Sequence, residues 1–157
     1  MVRILEKAFS IGEIQAESRQ FRCSSNKNTA RVLVVDDDEA IRETMGDIFR
    51  EMGIHTTLAR DGFEAIEMVK RAPPDLIIMD LRMPGIDGLQ TSKEILSFRP
   101  GARIIIVSAY MTSETFTDAR HAGVIAVFEQ TTRYRNVKGI YHVIEIILRS
   151  VYEKIDR

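Results

Sequence analysis

One stretch limits the fold of this chain more than any other, because an apolar run ends there in an acid and a glycine-rich loop. Leu76 to Met79 is continuously apolar and is followed directly by Asp80. A short apolar run bounded by turn residues predicts a strand buried on both faces. Pro84, Gly85 and Gly88 then break the chain into a loop. An acid at the carboxyl end of such a strand lies where open α/β sheets bind ligands, although a strand ending in a turn-favouring Asp also explains the stretch.

Apolar runs and helical spacing alternate along the chain from Arg31 onwards. Glu39 begins the first predicted helix, which Gly53 ends, and the second stops before Pro73. The remaining helices are predicted at about 87–98, 112–122 and 135–154, and the strands at 32–35, 54–59, 76–79, 103–108 and 124–128. Five strands alternating with five helices predict an α/β fold, namely a flavodoxin-like parallel sheet in the order 2-1-3-4-5 with helices on both faces.

The two ends of the chain differ from the regular part. Residues 1–29 read as a flexible N-terminal extension that ends in a polar linker, and residues 30–157 as the domain itself. The last predicted helix, 135–154, has a full apolar stripe, with Val143 and Ile146 as further apolar residues beside it. One interpretation of these additional apolar residues is a homodimer that forms through this helix and the neighbouring face.

Composition excludes several classes of protein. The chain has 157 residues, a net charge of -1 and one cysteine, Cys23. The charge gives no bulk attraction to nucleic acid or to an anionic membrane, and one cysteine forms neither an internal disulfide nor a cysteine-cluster metal site. No apolar run reaches membrane-spanning length, and the first residues are too charged for a signal peptide. We therefore expect a cytoplasmic protein without direct nucleic-acid or membrane binding.

Acidic and hydroxyl side chains follow three strands that are neighbours in the predicted order. Asp36 and Asp37 follow the first strand, Asp80 the third and Ser108 the fourth. Three clustered carboxylates repel one another by roughly 2–4 kcal/mol per pair at an effective dielectric constant of 20, so they require a cation. Oxygen ligands without His or Cys favour Mg²⁺, although a solvated acidic loop is the simpler alternative. Asp38 is predicted to cap the following helix.

A carboxylate beside Mg²⁺ can attack phosphorus and form an aspartyl-phosphate. A Mg²⁺-dependent phosphatase that works through such an intermediate is one alternative function. The phosphatases require a second acid two residues after the nucleophile, and Arg82 occupies that position here. Arg82 therefore argues against a phosphatase.

Three stretches together resemble the receiver domains of response regulators in two-component signalling, of the stand-alone type. They are residues 34–39, 75–88 and 106–110, and the resemblance extends over about residues 30–153. It implies that Asp80 accepts a phosphoryl group from a histidine kinase or a phosphotransfer protein, and that a downstream protein target reads the result. At 157 residues we expect no DNA-binding output domain after the receiver.

The resemblance also implies roles for the residues around Asp80. Asp36, Asp37 and Asp80 would bind Mg²⁺, with the backbone carbonyl of Arg82 contributing, and Ser108 would supply the switch hydroxyl. Tyr110, two residues later, is either a residue of the partner-binding face or a packing residue.

The chain departs from the family pattern at the fifth strand. The family has a Lys-Pro pair there, and the corresponding residues are Gln130 and Thr131. A Gln amide donates a hydrogen bond but carries no charge, so a charge-assisted contact to the phosphoryl group is lost. Val127 stands where the family often has an aromatic residue. A pseudo-receiver, which uses the fold for binding without a phosphorylation switch, is therefore the main alternative.

Overall fold

A computed structural model describes residues 31–129 of the chain, and these form five strands and four helices in strict alternation. The strands are β1 (Arg31–Val35), β2 (His55–Ala59), β3 (Leu76–Asp80), β4 (Ile104–Ser108) and β5 (Ala126–Glu129). The helices are α1 (Glu39–Glu51), α2 (Gly62–Arg71), α3 (Gly88–Phe98) and α4 (Ser113–Ala122).

All five strands are parallel and lie in the order β2-β1-β3-β4-β5, so the predicted flavodoxin-like topology is confirmed. The register places Val35 of β1 opposite Met79 of β3, and Asp80 opposite Val107 of β4. The carboxyl ends of β1, β3 and β4 are therefore level, and the residues that follow these strands meet at one edge of the sheet.

Helices cover both faces of the sheet, as the alternation predicts. On one face, α1 packs Met45, Ile48 and Phe49 against the strands. On the other face, α2, α3 and α4 contribute a second cluster that includes Ile66, Ile95 and Ala119. Burying one such large aliphatic or aromatic side chain contributes about 1.5–3 kcal/mol, so the two clusters fix β3 between them.

Each helix begins at a side chain that accepts hydrogen bonds from free backbone N–H groups of the first turn. These capping residues are Asp38, Asp61, Asp87 and Thr112. The cap predicted at Asp38 is thereby confirmed, with its carboxylate accepting from the N–H groups of Ala40 and Ile41. All four caps follow strand ends, so they fix the loops at the edge where the acids lie.

Strand boundaries differ from the prediction by at most two residues, and two of these differences have an identifiable physical cause. Asp80 belongs to β3 itself, because it still pairs with Val107 of β4. Strand β5 begins at Ala126 rather than Val124, since the N–H of Val124 donates to the carbonyl of Ala119 and closes the end of α4. Apolar composition alone does not separate a residue that closes a helix from one that opens a strand.

Several predictions concern residues outside 31–129. They are the N-terminal extension 1–29, Cys23, Gln130 and Thr131, the helix at 135–154 and the homodimer contact through it. In the part of the chain that the structure describes, no helix is both long and apolar enough to cross a membrane.

Candidate functional site

Three carboxylates meet at the carboxyl edge of the sheet. One oxygen from each of Asp36, Asp37 and Asp80 lies within 4.8 Å of the others. The register of β1 and β3 is the cause, because it sets the residues after Val35 beside Asp80. The structure thus brings together the three acids that the sequence singles out, from positions more than forty residues apart.

Backbone contacts hold Asp36 in place at the end of β1. Its N–H donates to the carbonyl of Ala59 at 3.2 Å, and its Oδ1 accepts from the N–H of Asp38 at 2.9 Å. The guanidinium of Arg42 donates to the Asp36 carbonyl at 2.7 Å. Asp36 is therefore fixed on both sides, whereas the neighbouring Asp37 is exposed at the rim of the site.

The environment of the cluster disfavours three simultaneous negative charges. Burial, together with the charges of Asp36 and Asp37, raises the pKa of Asp80 from 3.8 to about 7. Burial also raises the pKa of Asp36 from 3.8 to about 6, helped by the charge of Asp37 and partly opposed by a backbone hydrogen bond from Asp38. A cation bound here would relieve the repulsion, so protons and cations compete for these oxygens.

The loop after β3 is packed tightly under Asp80. The N–H of Gly88 donates to the carbonyl of Leu81 at 2.8 Å, and a Cβ on Gly88 would overlap the backbone carbonyl of Asp80. The backbone N–H of Arg82 hydrogen-bonds the Asp80 side chain, which partly lowers its pKa. Within this loop, the side chains of Leu81 and Met83 are buried. These contacts fix the direction in which the Asp80 carboxylate points.

Ser108 ends β4, one residue beyond the partner of Asp80. Its side chain is buried, and its hydroxyl donates to the carbonyl of Tyr110 at 2.8 Å while accepting from the N–H of Tyr110 at 3.2 Å. The hydroxyl therefore lies at the predicted strand end but engages its own loop. In this state the Ser108 hydroxyl fixes the backbone of Tyr110 next to the end of β4.

A groove of about 670 Å³ opens beside Asp37 and runs between the loops after β3 and β4. Its lining includes Arg82, Pro84, Tyr110 and Thr112. Tyr110 is 60% exposed, and the guanidinium of Arg82 lies 5.2 Å from the centre of its ring. Of the two interpretations of Tyr110, the exposure favours a residue that can contact a partner.

Sequence reasoning missed two side chains of this site. Arg42 contacts Asp36, and the Arg82 side chain contacts Tyr110. The one available signal for Arg42 was its position about one turn into the helix that follows Asp36. Nothing in the spacing indicates that Arg82 and Tyr110 meet, since they come from different loops. Val127 lies opposite Ile106 and packs into the second cluster.

The parallel sheet and the acid cluster at its carboxyl edge define a flavodoxin-like α/β domain with an acidic site. The family model for the response regulator receiver domain matches residues 32–137. The chain therefore belongs to the response regulator receiver family, as its motifs predict. Receiver domains are signalling modules of two-component systems.

The chain is similar to sporulation initiation phosphotransferase F of Bacillus subtilis. The two are 30% identical over 98 residues, which is 62% of this chain and 79% of the relative. Other curated relatives are longer proteins, and the match covers between 20% and 47% of their length. What those longer proteins do as a whole therefore carries over only as a proposal.

Solved structures show the same fold. A CheY-like receiver domain protein of Methanospirillum hungatei has a TM-score of 0.69 at 23% identity, covering 81% of this chain and 99% of that one. The response regulator TrrA of Thermotoga maritima, in a complex with Mg²⁺ and beryllofluoride, has a TM-score of 0.63 at 30% identity. That likeness covers 76% of this chain and 97% of TrrA.

Proposed function

We propose that Asp80 accepts a phosphoryl group and that Asp36, Asp37 and Asp80, with the backbone carbonyl of Arg82, bind Mg²⁺ beside it. The observation that carries the proposal is the approach of the three carboxylates to within 4.8 Å. Such an arrangement is costly without a cation, because each like-charged neighbour raises the free energy of the ionised cluster.

The donor set suits a hard divalent cation. The group found in residues 31–129 consists of carboxylate oxygens, with neither His nor Cys among them. Mg²⁺ prefers such oxygens, and it commonly binds one or two carboxylates together with water and phosphate. When bound, the ion would neutralise charge on the carboxylates and on the incoming phosphoryl oxygens.

The proposed transfer begins at an oxygen of the Asp80 carboxylate, which attacks the phosphorus of a phosphohistidine on a histidine kinase or a phosphotransfer protein. The new O–P bond forms as the P–N bond breaks, and the electron pair stays on the imidazole nitrogen, which takes up a proton from solvent. The N–H of Arg82 helps to orient the attacking carboxylate. The groove beside Asp37 leaves an approach open for the donor.

Ser108 is proposed to report the new state. Its hydroxyl now donates to the Tyr110 carbonyl, and it would donate instead to a phosphoryl oxygen, which is the stronger acceptor. The loop that begins at Tyr110 would then lose its contact with β4. A downstream protein reading that loop would distinguish the two states.

One observation favours a second candidate, a binding module without a phosphorylation switch. Gln130 is neutral where the family has a lysine. If this candidate is correct, the wild type does not change shape on phosphorylation, and Gln130→Lys creates the change. A wild type that already switches excludes it.

The phosphoacceptor assignment is tested by incubating the protein with Mg²⁺ and acetyl phosphate and measuring intact mass. We expect a gain of one phosphoryl group that depends on Mg²⁺ and is absent in Asp80→Asn. Asp47→Asn is the matched control, because Asp47 is an exposed acid on α1 with a side chain 68% accessible. An unchanged mass in the wild type, or a gain that persists in Asp80→Asn, would refute the assignment.

A further inference from the structure

The side chain of Arg82 lies in the groove beside the acid cluster and has no acidic partner among residues 31–129. Its guanidinium lies over the exposed ring of Tyr110 at 5.2 Å from the ring centre. In residues 31–129 no ion pair joins it to a carboxylate, whereas Arg50 and Arg60 each have acidic partners. A solvent-exposed cation–π contact is weak, so the guanidinium is free to exchange it for a stronger partner.

Phosphorylation of Asp80 would create such a partner. The phosphoryl group adds further negative charge and strong acceptor oxygens to a site that already has three carboxylates. The family pattern has a lysine at the position of Gln130, so the sequence of this chain lacks that positive charge. A guanidinium forms charge-assisted and often bidentate bonds with phosphoryl oxygens.

Arg82 shares a groove with one of the three acids. It lines the same groove as Asp37, whose carboxylate is within 4.8 Å of the Asp80 carboxylate. Its own backbone N–H already hydrogen-bonds Asp80. Among the described residues that line this groove, Arg82 is the one Lys or Arg. Arg42, the other arginine near the cluster, is engaged by the Asp36 carbonyl at 2.7 Å.

We propose that the Arg82 guanidinium binds the phosphoryl group on Asp80, and that Tyr110 holds this side chain aside until the group arrives. The proposal rests on the phosphoacceptor role of Asp80 and adds a positioning and charge-balancing residue to it. In this chain the cation would come from the loop after β3, whereas in the family pattern it comes from the end of the fifth strand.

Tyr110 couples this movement to the switch hydroxyl. Its ring contacts Arg82, while its backbone N–H and carbonyl both hydrogen-bond the Ser108 hydroxyl. A phosphoryl group that binds the Ser108 hydroxyl and the Arg82 guanidinium would therefore break the backbone contact and the ring contact of Tyr110 together. The exposed ring is then free to take a new position on the surface.

The test uses beryllofluoride with Mg²⁺ as a non-covalent stand-in for the phosphoryl group, and measures its affinity on the full chain by titration calorimetry. Arg82→Gln keeps the backbone N–H and carbonyl and removes the charge. We expect it to weaken beryllofluoride binding about tenfold or more. Binding of Mg²⁺ alone should become tighter, because the variant keeps the backbone carbonyl and removes a nearby positive charge.

Arg71→Gln is the matched control, because Arg71 is an exposed arginine in the last turn of α2. The site lies near the first turn of this helix, at the opposite end. We expect this variant to bind like the wild type. Adding Gln130→Lys to Arg82→Gln should restore affinity by returning a cation. Tyr110→Ala should tighten binding severalfold by releasing Arg82, whereas Tyr110→Phe keeps the ring and should bind like the wild type.

The outcomes separate the two proposals. A wild type that binds no beryllofluoride in the presence of Mg²⁺, or that binds it equally as Asp80→Asn, overturns the phosphoacceptor role and the Arg82 role with it. A wild type that binds through Asp80 while Arg82→Gln binds equally well overturns the Arg82 role alone. The Nε–H resonance of Arg82 gives a second measurement, and a resonance that beryllofluoride leaves unshifted also contradicts the proposal.

Discussion

The first residue of α3, Gly88, lies directly against the backbone carbonyl of Asp80, with no room for a Cβ between them. Replacing Gly88 by Ala should therefore push α3 away from the end of β3. Overpacking of this kind costs about 1–3 kcal/mol, which exceeds the helix propensity gained. Urea unfolding measures the change in the free energy of unfolding.

Gly101→Ala provides the control for that measurement, because no atom lies within 4 Å of a Cβ at this position. It should change the free energy of unfolding by no more than about 0.5 kcal/mol. Equal losses in both variants would show that the close approach at Gly88 has no special cost.

Mg²⁺ should stabilise the folded protein, and a chelator should reverse the effect. A ligand at a hundredfold excess over its dissociation constant adds about 2.7 kcal/mol to the free energy of unfolding. Asp37→Asn removes one negative charge from the cluster and should weaken Mg²⁺ binding about tenfold, as measured by calorimetry. Glu94→Gln changes an exposed acid on α3 and should leave Mg²⁺ affinity unchanged.

Without metal, the protein should become less stable as pH rises through the neutral range. The pKa of Asp80 is about 7 in the folded protein against 3.8 ordinarily, so the folded state holds its proton more tightly between those values. The free energy of unfolding then falls with rising pH in this window, on the order of 1–2 kcal/mol once solvent screening is allowed for. Chemical denaturation at several pH values measures the slope.

Asp80→Asn should flatten this pH dependence, because Asn does not titrate and the raised pKa of Asp80 is the larger of the two shifts. Saturating Mg²⁺ should raise stability most at the upper end of the window, where the carboxylates are ionised. A metal-free protein whose stability rises from pH 4 to pH 7 would contradict the shifted pKa values of Asp36 and Asp80.

Loss of the Ser108 hydroxyl should separate phosphorylation from its structural consequence. Ser108→Ala leaves Asp80 and its neighbours in place, so acetyl phosphate should still add one phosphoryl group. The backbone N–H of Tyr110 donates to the Ser108 hydroxyl at 3.2 Å. In Ser108→Ala the amide resonance of Tyr110 should therefore no longer shift on phosphorylation. Ser108→Thr keeps the hydroxyl and should respond as the wild type does, and a full response in Ser108→Ala would exclude the switch role.

Local pattern was sufficient for much of this fold. The four described helices match their predicted positions closely, since each starts at a capping residue and ends at a Gly or just before a Pro or a turn. The strand order was predicted as the flavodoxin-like arrangement expected for five alternating strands and helices, and the structure has that order. The strand end at Asp80 and the start of β5 differed by one or two residues, where backbone pairing rather than composition decides.

The amino-acid sequence by itself determined the sheet, its order and the meeting of Asp36, Asp37 and Asp80, because strand ends in a parallel sheet of known order lie side by side. Only the tertiary structure decided the contacts that set their properties. The burial that raises the pKa of Asp80, the close approach of Gly88 and the stacking of Arg82 on Tyr110 each join separate loops. Such contacts depend on where side chains meet in space, and no periodicity along the chain encodes that.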